Sequence, residues 1–216
     1  TLDVLPSTGD DAANTALQSG ADILIGGAGN DTLEGALGDN ARDILIGDHA
    51  IVVFNDPDAA TNHDGTSARF DLWTTAPGTG GADTLCGGSG SDILIGGARD
   101  DTLEGGTGDD ILVGDGARVQ RDDTLNLELV ESRDGRIGGD DTLDGQSATG
   151  NDILIGGNGD DTLNGADGND ILCGDNARVS FRADDLAPAA AGEGVTPAGN
   201  LAPNTLAFPL PAAVES

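Results

Sequence analysis

Residues Gly87 to Val113 read GGSGSDILI, GGARDDTLE, GGTGDDILV: one nine-residue phrase in three successive copies. Position one is Gly in every copy, position six is Asp (Asp92, Asp101, Asp110) and position eight is Leu (Leu94, Leu103, Leu112). So short a fixed period describes a solenoid, because one unit cannot bury its single apolar residue without stacking on its neighbours. The two halves of the phrase have different work. Gly-Gly-x-Gly-x-Asp turns sharply and leaves backbone carbonyls free to converge. The next three residues make a minimal strand, whose period of two sends position eight inward and positions seven and nine outward. Carboxylates beside bare carbonyls form an all-oxygen ligand set of the kind hard Ca²⁺ prefers.

Strict copies of the phrase occur at Gly26–Glu34, Gly87–Ile95, Gly105–Val113 and Gly156–Asn164, and near copies at Gly78–Cys86, Gly96–Glu104 and Gly165–Cys173. This pattern resembles the RTX (haemolysin-type) calcium-binding repeat, GGxGxDxUx, in patches from Leu17 to Asp175. The resemblance implies an all-β fold, a right-handed parallel β-roll or β-solenoid of nonapeptides with strand or hairpin excursions. It also implies multiple Ca²⁺ ions between successive turns, a secreted bacterial protein and type I secretion.

A second period lies inside the first. Residues after the position-six aspartates alternate: Ile after Asp22, Asp43, Asp92, Asp110, Asp152 and Asp170, and Thr after Asp31, Asp83, Asp101, Asp141 and Asp161. Two nonapeptides therefore make one coil, with an Ile strand on one sheet and a Thr strand on the other. The inner leucines, from Leu24 to Leu172, form a thin core of roughly 1.5–3 kcal/mol per side chain, modest against the ordering entropy, so metal must supply much of the stability. The candidate ligands are those aspartates, with the carbonyls of Gly26, Gly29, Gly87, Gly90, Gly96, Gly105, Gly108, Gly156, Gly159, Gly165 and Gly168. Asp also caps turns without any metal, but recurrence in register with glycine favours calcium. Asp39, Asp109, Asp160 and Asp167 sit elsewhere in the turns, as further oxygens or as plain turn residues. Asp48, Asp115 and Asp175, in the motif that leaves each block, either close a calcium row or form a turn.

The 216-residue chain holds 39 acidic against 9 basic residues, all arginine, for a net charge of −30. It has 4 Phe, 1 Trp and no Tyr, too few for an aromatic core, and 36 Gly. Such charge calls for a bound cation and leaves no basic patch for nucleic acid. No apolar run is long enough for a membrane span, so no transmembrane segment is expected. With no Met and no signal-peptide pattern, the chain is expected to be a processed product or a piece of something longer. Cys86 and Cys173 fall on opposite sheets and define no disulfide framework. His49 and His63 lack any zinc spacing, and no GxSxG or carboxylate pair stands out as catalytic, so an enzyme is not expected.

Three blocks carry the roll over 17–182, at 17–54, 78–120 and 136–182, with excursions at 55–77 and 121–135. Residues 1–16 read as a cap or linker and 183–216 as an Ala/Pro-rich tail. The spacing predicts a bulge at Leu37–Arg42, an insertion before Asp152 and a hairpin pairing Ile51–Phe54 with Phe70–Trp73. Outer residues of the Ile strands are apolar, which predicts an Ile face covered partly by the excursions and partly by self-association or a neighbouring module. The function these features suggest is a calcium-binding extracellular structural module (surface layer, adhesin or filament) at a bacterial cell surface, folding and assembling on Ca²⁺. The alternative is the repeat region of a type I-secreted RTX enzyme or toxin whose catalytic domain lies elsewhere.

Overall fold

The computed structural model describes residues 4–6, 13–15, 20–35, 40–54, 70–76, 78–121, 126–133, 135–146, 150–181 and 213–215. All of its regular structure is β. The Ile strands β3 (Ile23–Ile25), β5 (Ile44–Ile46), β9 (Ile93–Gly97), β11 (Ile111–Asp115), β15 (Ile153–Gly157) and β17 (Ile171–Asp175) stack in that order, after the edge strand β1 (Val4–Pro6), as one parallel 7-stranded sheet. Opposite it lies a parallel 6-stranded sheet of Thr strands: β2 (Ala13–Thr15), β4 (Thr32–Glu34), β8 (Thr84–Ser89), β10 (Thr102–Thr107), β14 (Thr142–Asp144) and β16 (Thr162–Asn164). The alternation of Ile and Thr thus separates into two sheets as the sequence predicts. Register is kept across the block boundaries: Leu45 pairs with Leu94 and Leu112 with Leu154 on one sheet, Leu33 with Leu85 and Leu103 with Leu143 on the other. The three blocks therefore form one continuous roll.

Between the sheets runs a single file of leucines. Leu24, Leu33, Leu45, Leu85, Leu94, Leu103, Leu112, Leu143 and Leu154 are buried together, with Leu163 packed partly against them. Leu172, expected in the same file, is 45 % exposed. Its strand β17 is the last of its sheet, so no further coil covers it.

A third sheet is antiparallel and 6-stranded: β6 (Ala50–Phe54), β7 (Phe70–Thr74), β12 (Ala117–Arg121), β13 (Leu127–Ser132), β18 (Arg178–Ser180) and β19 (Ala213–Glu215). The predicted hairpin is present, with Ile51 opposite Trp73 and Phe54 opposite Phe70. The strands that leave the second and third blocks, Ala117–Arg121 and Arg178–Ser180, alternate small or branched residues with polar ones, and period two turns the apolar set onto the roll. Leu72, Ala117, Val119, Val130, Ala177 and Val179 accordingly share one buried cluster with Ile23, Ile44, Ile46, Ile93, Ile95, Ile153 and Ile155. The chain's own third sheet covers most of the Ile stripe: Ile95 and Ile155 are fully buried, while Ile25, Ile171 and Cys173 toward its ends are only partly buried. On that sheet's other side, Arg118 clasps Asp71 through two hydrogen bonds of 3.1 and 2.7 Å, and Gln120 adds a third at 3.3 Å.

Val4–Pro6 and Ala13–Thr15 pair in parallel with β3 and β4, adding strands to the first end of the roll. Leu37–Asp39 of the expected bulge, the insertion at 147–149, His63 and residues 182–212 of the tail lie outside the described residues.

Candidate metal centre

Each coil turns twice, and the turns are so tight that a side chain is excluded at specific points. A Cβ on Gly90 (φ 139°) would strike the carbonyl oxygen of Ala41 in the preceding coil. Arg99 occupies the corresponding fourth position of its own turn with φ 79°, a strained value for a non-glycine residue. Its Nε donates to the Gly80 carbonyl at 2.9 Å, which helps hold it there.

The position-six aspartates lock successive coils together. On the Ile side the backbone N–H of Asp22 donates to Oδ1 of Asp43, Asp43 to Asp92, Asp92 to Asp110, Asp110 to Asp152 and Asp152 to Asp170, at 2.7–2.9 Å. On the Thr side the same bond runs from Asp31 to Asp83, Asp101, Asp141 and Asp161, also at 2.7–2.9 Å. From the second aspartate of each row onward, one carboxylate oxygen is thereby fixed by the fold.

The other oxygen is left over. Oδ2 of Asp83, Asp101, Asp110, Asp141, Asp152 and Asp161 is buried and makes no hydrogen bond. Each points over the glycine that follows the preceding x-Leu-x strand of the roll. A Cβ on Gly96 would collide with Asp101 Oδ2 and with the carbonyl oxygen of Gly114 in the next coil. The arrangement recurs at Gly47 (Asp83, carbonyl of Gly96), Gly114 (Asp141, carbonyl of Gly156) and Gly156 (Asp161, carbonyl of Gly174). A buried carboxylate oxygen with no donor is costly, and facing only carbonyls it can be satisfied by a cation but not by the chain. Among the described residues no three acidic, histidine or cysteine side chains converge on one point, so backbone oxygens supply most of each cradle. Hard, all-oxygen and adaptable, this donor set fits Ca²⁺. Bound there, the ion neutralises charge that the fold cannot.

Without it, burial makes these groups hold protons. Burial raises Asp83, Asp110 and Asp141 from 3.8 to about 7, and Asp152 to about 6. Asp101 rises to about 10, through burial first and then the charges of Asp141 and Asp83.

Reading the sequence by glycine pairs finds the aspartates but misses some of the carbonyls. Those of Gly47, Gly114 and Gly174 stand at the same points as Gly96 and Gly156, although no second glycine follows them. A glycine directly after each x-Leu-x strand is the signal that finds them. The fourth-position carbonyls of Gly29 and Gly90 instead face the α-carbons of Gly81 and Gly108 in the next coil. Position five, which the sequence offers at Asp109 and Asp160 as a further oxygen or a plain turn residue, forms an outer ladder: Asp140 N–H donates to Asp100 Oδ1 and Asp160 N–H to Asp140 Oδ1. Asp109 belongs to the matching ladder on the Ile side, accepting from the Asn151 N–H at 2.9 Å. The doublets Asp100-Asp101, Asp109-Asp110, Asp140-Asp141 and Asp160-Asp161 are its sequence signal. Both cysteines are free, Cys86 on the Thr sheet and Cys173 on the Ile sheet.

Fold and cradles together define a calcium-binding parallel β-roll. The RTX calcium-binding nonapeptide repeat matches this chain in 4 copies, at residues 18–41, 78–94, 87–117 and 147–177. In these segments the chain is similar to the RTX calcium-binding nonapeptide repeat. Nothing among the curated proteins or the solved structures matches it.

Proposed function

We propose that this chain is a calcium-folded structural module of an extracellular assembly: part of a surface layer, adhesin or filament on a bacterial cell. The observation that carries the reading is the pair of aspartate ladders running through every block, each leaving buried oxygens that only a cation satisfies. Several ions therefore bind per chain, and their binding is coupled to folding. The excursions spend their apolar residues on covering the Ile sheet. They serve the roll's own stability.

Extracellular modules bind Ca²⁺ at roughly 10⁻⁴–10⁻³ M, and cytosolic sites far more tightly. A chain that stays unfolded at low intracellular calcium can be exported through a type I channel and fold outside. Association with further copies or neighbouring modules belongs to the same proposal. With most of the Ile stripe covered, Leu172 at the last coil and Ile51 on β6 are, among the described residues, the exposed large apolar side chains left for it. A calcium titration followed by far-ultraviolet circular dichroism tests the reading. The β signal should appear with a midpoint in the extracellular range, and a midpoint below micromolar calcium would refute the extracellular assignment. Sedimentation in saturating Ca²⁺ should show oligomers; a monomer at high concentration would refute the assembly.

A further inference from the structure

We infer that Asp48 and Asp115, which lie outside position six of the nonapeptide, are ligands of additional Ca²⁺ ions at the turns where the covering sheet leaves the roll. The inference rests on the reading of the roll as calcium-binding. Both residues sit in a Gly-Asp-x-Ala motif directly after an Ile strand, at the second turn position, where the full repeats carry Gly97 or Gly157. Asp48 is 6 % exposed and Asp115 0 %. In each, Oδ2 accepts a backbone N–H from position three of the following coil, Ala98 at 2.7 Å for Asp48 and Asn158 for Asp115. In each, Oδ1 is buried and has no hydrogen-bond partner.

The Gly81 and Gly139 backbone N–H groups also lie against the Asp48 and Asp115 carboxylates, yet Oδ1 of each remains without a hydrogen-bond partner. The Asp48 carboxylate packs against Gly80 and Gly97, and the Asp115 carboxylate against Gly138 and Gly157, the same two turn positions in each case. Glycines bring no donor side chain. The charges that Asp48 feels are those of Asp83 and Asp31, and Asp141 in turn feels Asp115. Like charges raise the cost of each buried carboxylate, and none of the salt bridges of the described residues reaches either group. A divalent cation shared with Asp83 or Asp141 and with turn carbonyls removes both penalties at once.

The position of these sites gives them a distinct consequence. The chain passes from Asp48 into β6 and from Asp115 into β12, so an ion there fixes the first residues of the covering sheet to the calcium row. The third motif is an internal control. Asp175 is exposed and nothing stands within 4 Å of a Cβ on Gly174, so no following coil closes this turn.

The test uses the full chain and Ca²⁺ itself. Bound calcium is counted by equilibrium dialysis, and docking of the covering sheet is followed by fluorescence of Trp73, the 1 Trp of the chain, in β7 opposite Ile51. Asp48→Asn and Asp115→Asn keep an oxygen for the Ala98 and Asn158 N–H groups but lose the charge. Each should bind one ion fewer than the unmodified chain, and Asp48→Asn should move the Trp73 midpoint about 10–100-fold higher in calcium. Asp175→Asn should change neither. Unchanged stoichiometry and midpoint in both asparagine variants would overturn the inference. So would a Trp73 shift in Asp48→Ala with none in Asp48→Asn, which marks a turn cap alone. An unmodified chain that binds no calcium would instead bring down the underlying reading of the roll.

Discussion

Stripped of calcium, this protein should lose stability as pH rises, the reverse of ordinary acid denaturation. Burial holds Asp48, Asp83, Asp110, Asp115 and Asp141 at about 7, against 3.8 for a free aspartate. A folded-state pKa above the unfolded one means that the folded chain keeps protons the unfolded chain releases. The metal-free fold is then at full stability below about 3.8 and loses it progressively as pH climbs to about 7. The displacement corresponds to ~4 kcal/mol per carboxylate at 1.36 kcal/mol for each pKa unit. Halved for solvent screening in the turns, that leaves ~2 kcal/mol each. Those five carboxylates together then oppose folding by ~10 kcal/mol, on the scale of a whole domain's stability of roughly 5–15 kcal/mol.

The assay is urea unfolding of protein dialysed free of metal, followed by circular dichroism and Trp73 fluorescence at pH 5 and pH 8. The lower value stays above the isoelectric point of about 4.1, which avoids precipitation. At pH 8 the metal-free chain should show no cooperative transition. At pH 5 a transition should return, because the raised groups are protonated and roughly half or more of the penalty is relieved. Millimolar Ca²⁺ should restore folding at pH 8 by displacing those protons, and its affinity should therefore fall as pH falls. A metal-free chain as stable at pH 8 as at pH 5 would refute the reasoning.

Gly96→Ala drives a methyl into the Gly114 carbonyl and Asp101 Oδ2, and should cost ~1–3 kcal/mol and raise the calcium midpoint. Gly174→Ala, with nothing nearby, should stay within ~0.5 kcal/mol by the same denaturation assay. Ile95→Asp and Ile155→Asp place a charge in the buried cluster under the third sheet, so circular dichroism should show no calcium-folded state, rather than a folded protein that fails to assemble. Asp71→Asn should destabilise by ~3–5 kcal/mol by leaving Arg118 buried beside a neutral partner, and Asp71→Leu with Arg118→Met should recover most of that in thermal melts. Peptide mapping after mild oxidation should find Cys86 and Cys173 unbridged within one chain; a Cys86–Cys173 bond would contradict their placement on opposite sheets.

What was legible in the sequence was whatever repeats locally. Leu94, Leu103 and Leu112 recur every nine residues, and the Ile–Thr alternation after the aspartates assigns each strand to its sheet before any contact is known. The cover was legible only in part. Ala117 and Val119 mark a strand with one apolar face, and the hairpin at Ile51 and Trp73 follows from proximity in the chain. That Val119 then lies beside Leu72 depends on two excursions brought together by the roll beneath them, and no local pattern encodes it. Leu172 was misplaced for a related reason. The repeat says which side chains face inward, but burial of an inward residue also needs the next coil, which its own nonapeptide does not describe.

The metal centre divides along the same line. A carboxylate is a chemical feature of the sequence, so the aspartates could be named. A carbonyl ligand is a feature of backbone direction, which depends on where the strand ends rather than on which residue follows. Gly47 shows the difference: its partner at the second position is Asp48, which a search for Gly-Gly treats as the end of the repeat. In the folded chain Gly47 still faces Asp83 and the Gly96 carbonyl, as Gly96 and Gly114 do at their own turns. The departure from the motif therefore keeps the cradle and adds a buried carboxylate to the turn. A residue that breaks the pattern at a point where the backbone does not is the place to look for a second role, and Asp115 repeats the case one block later.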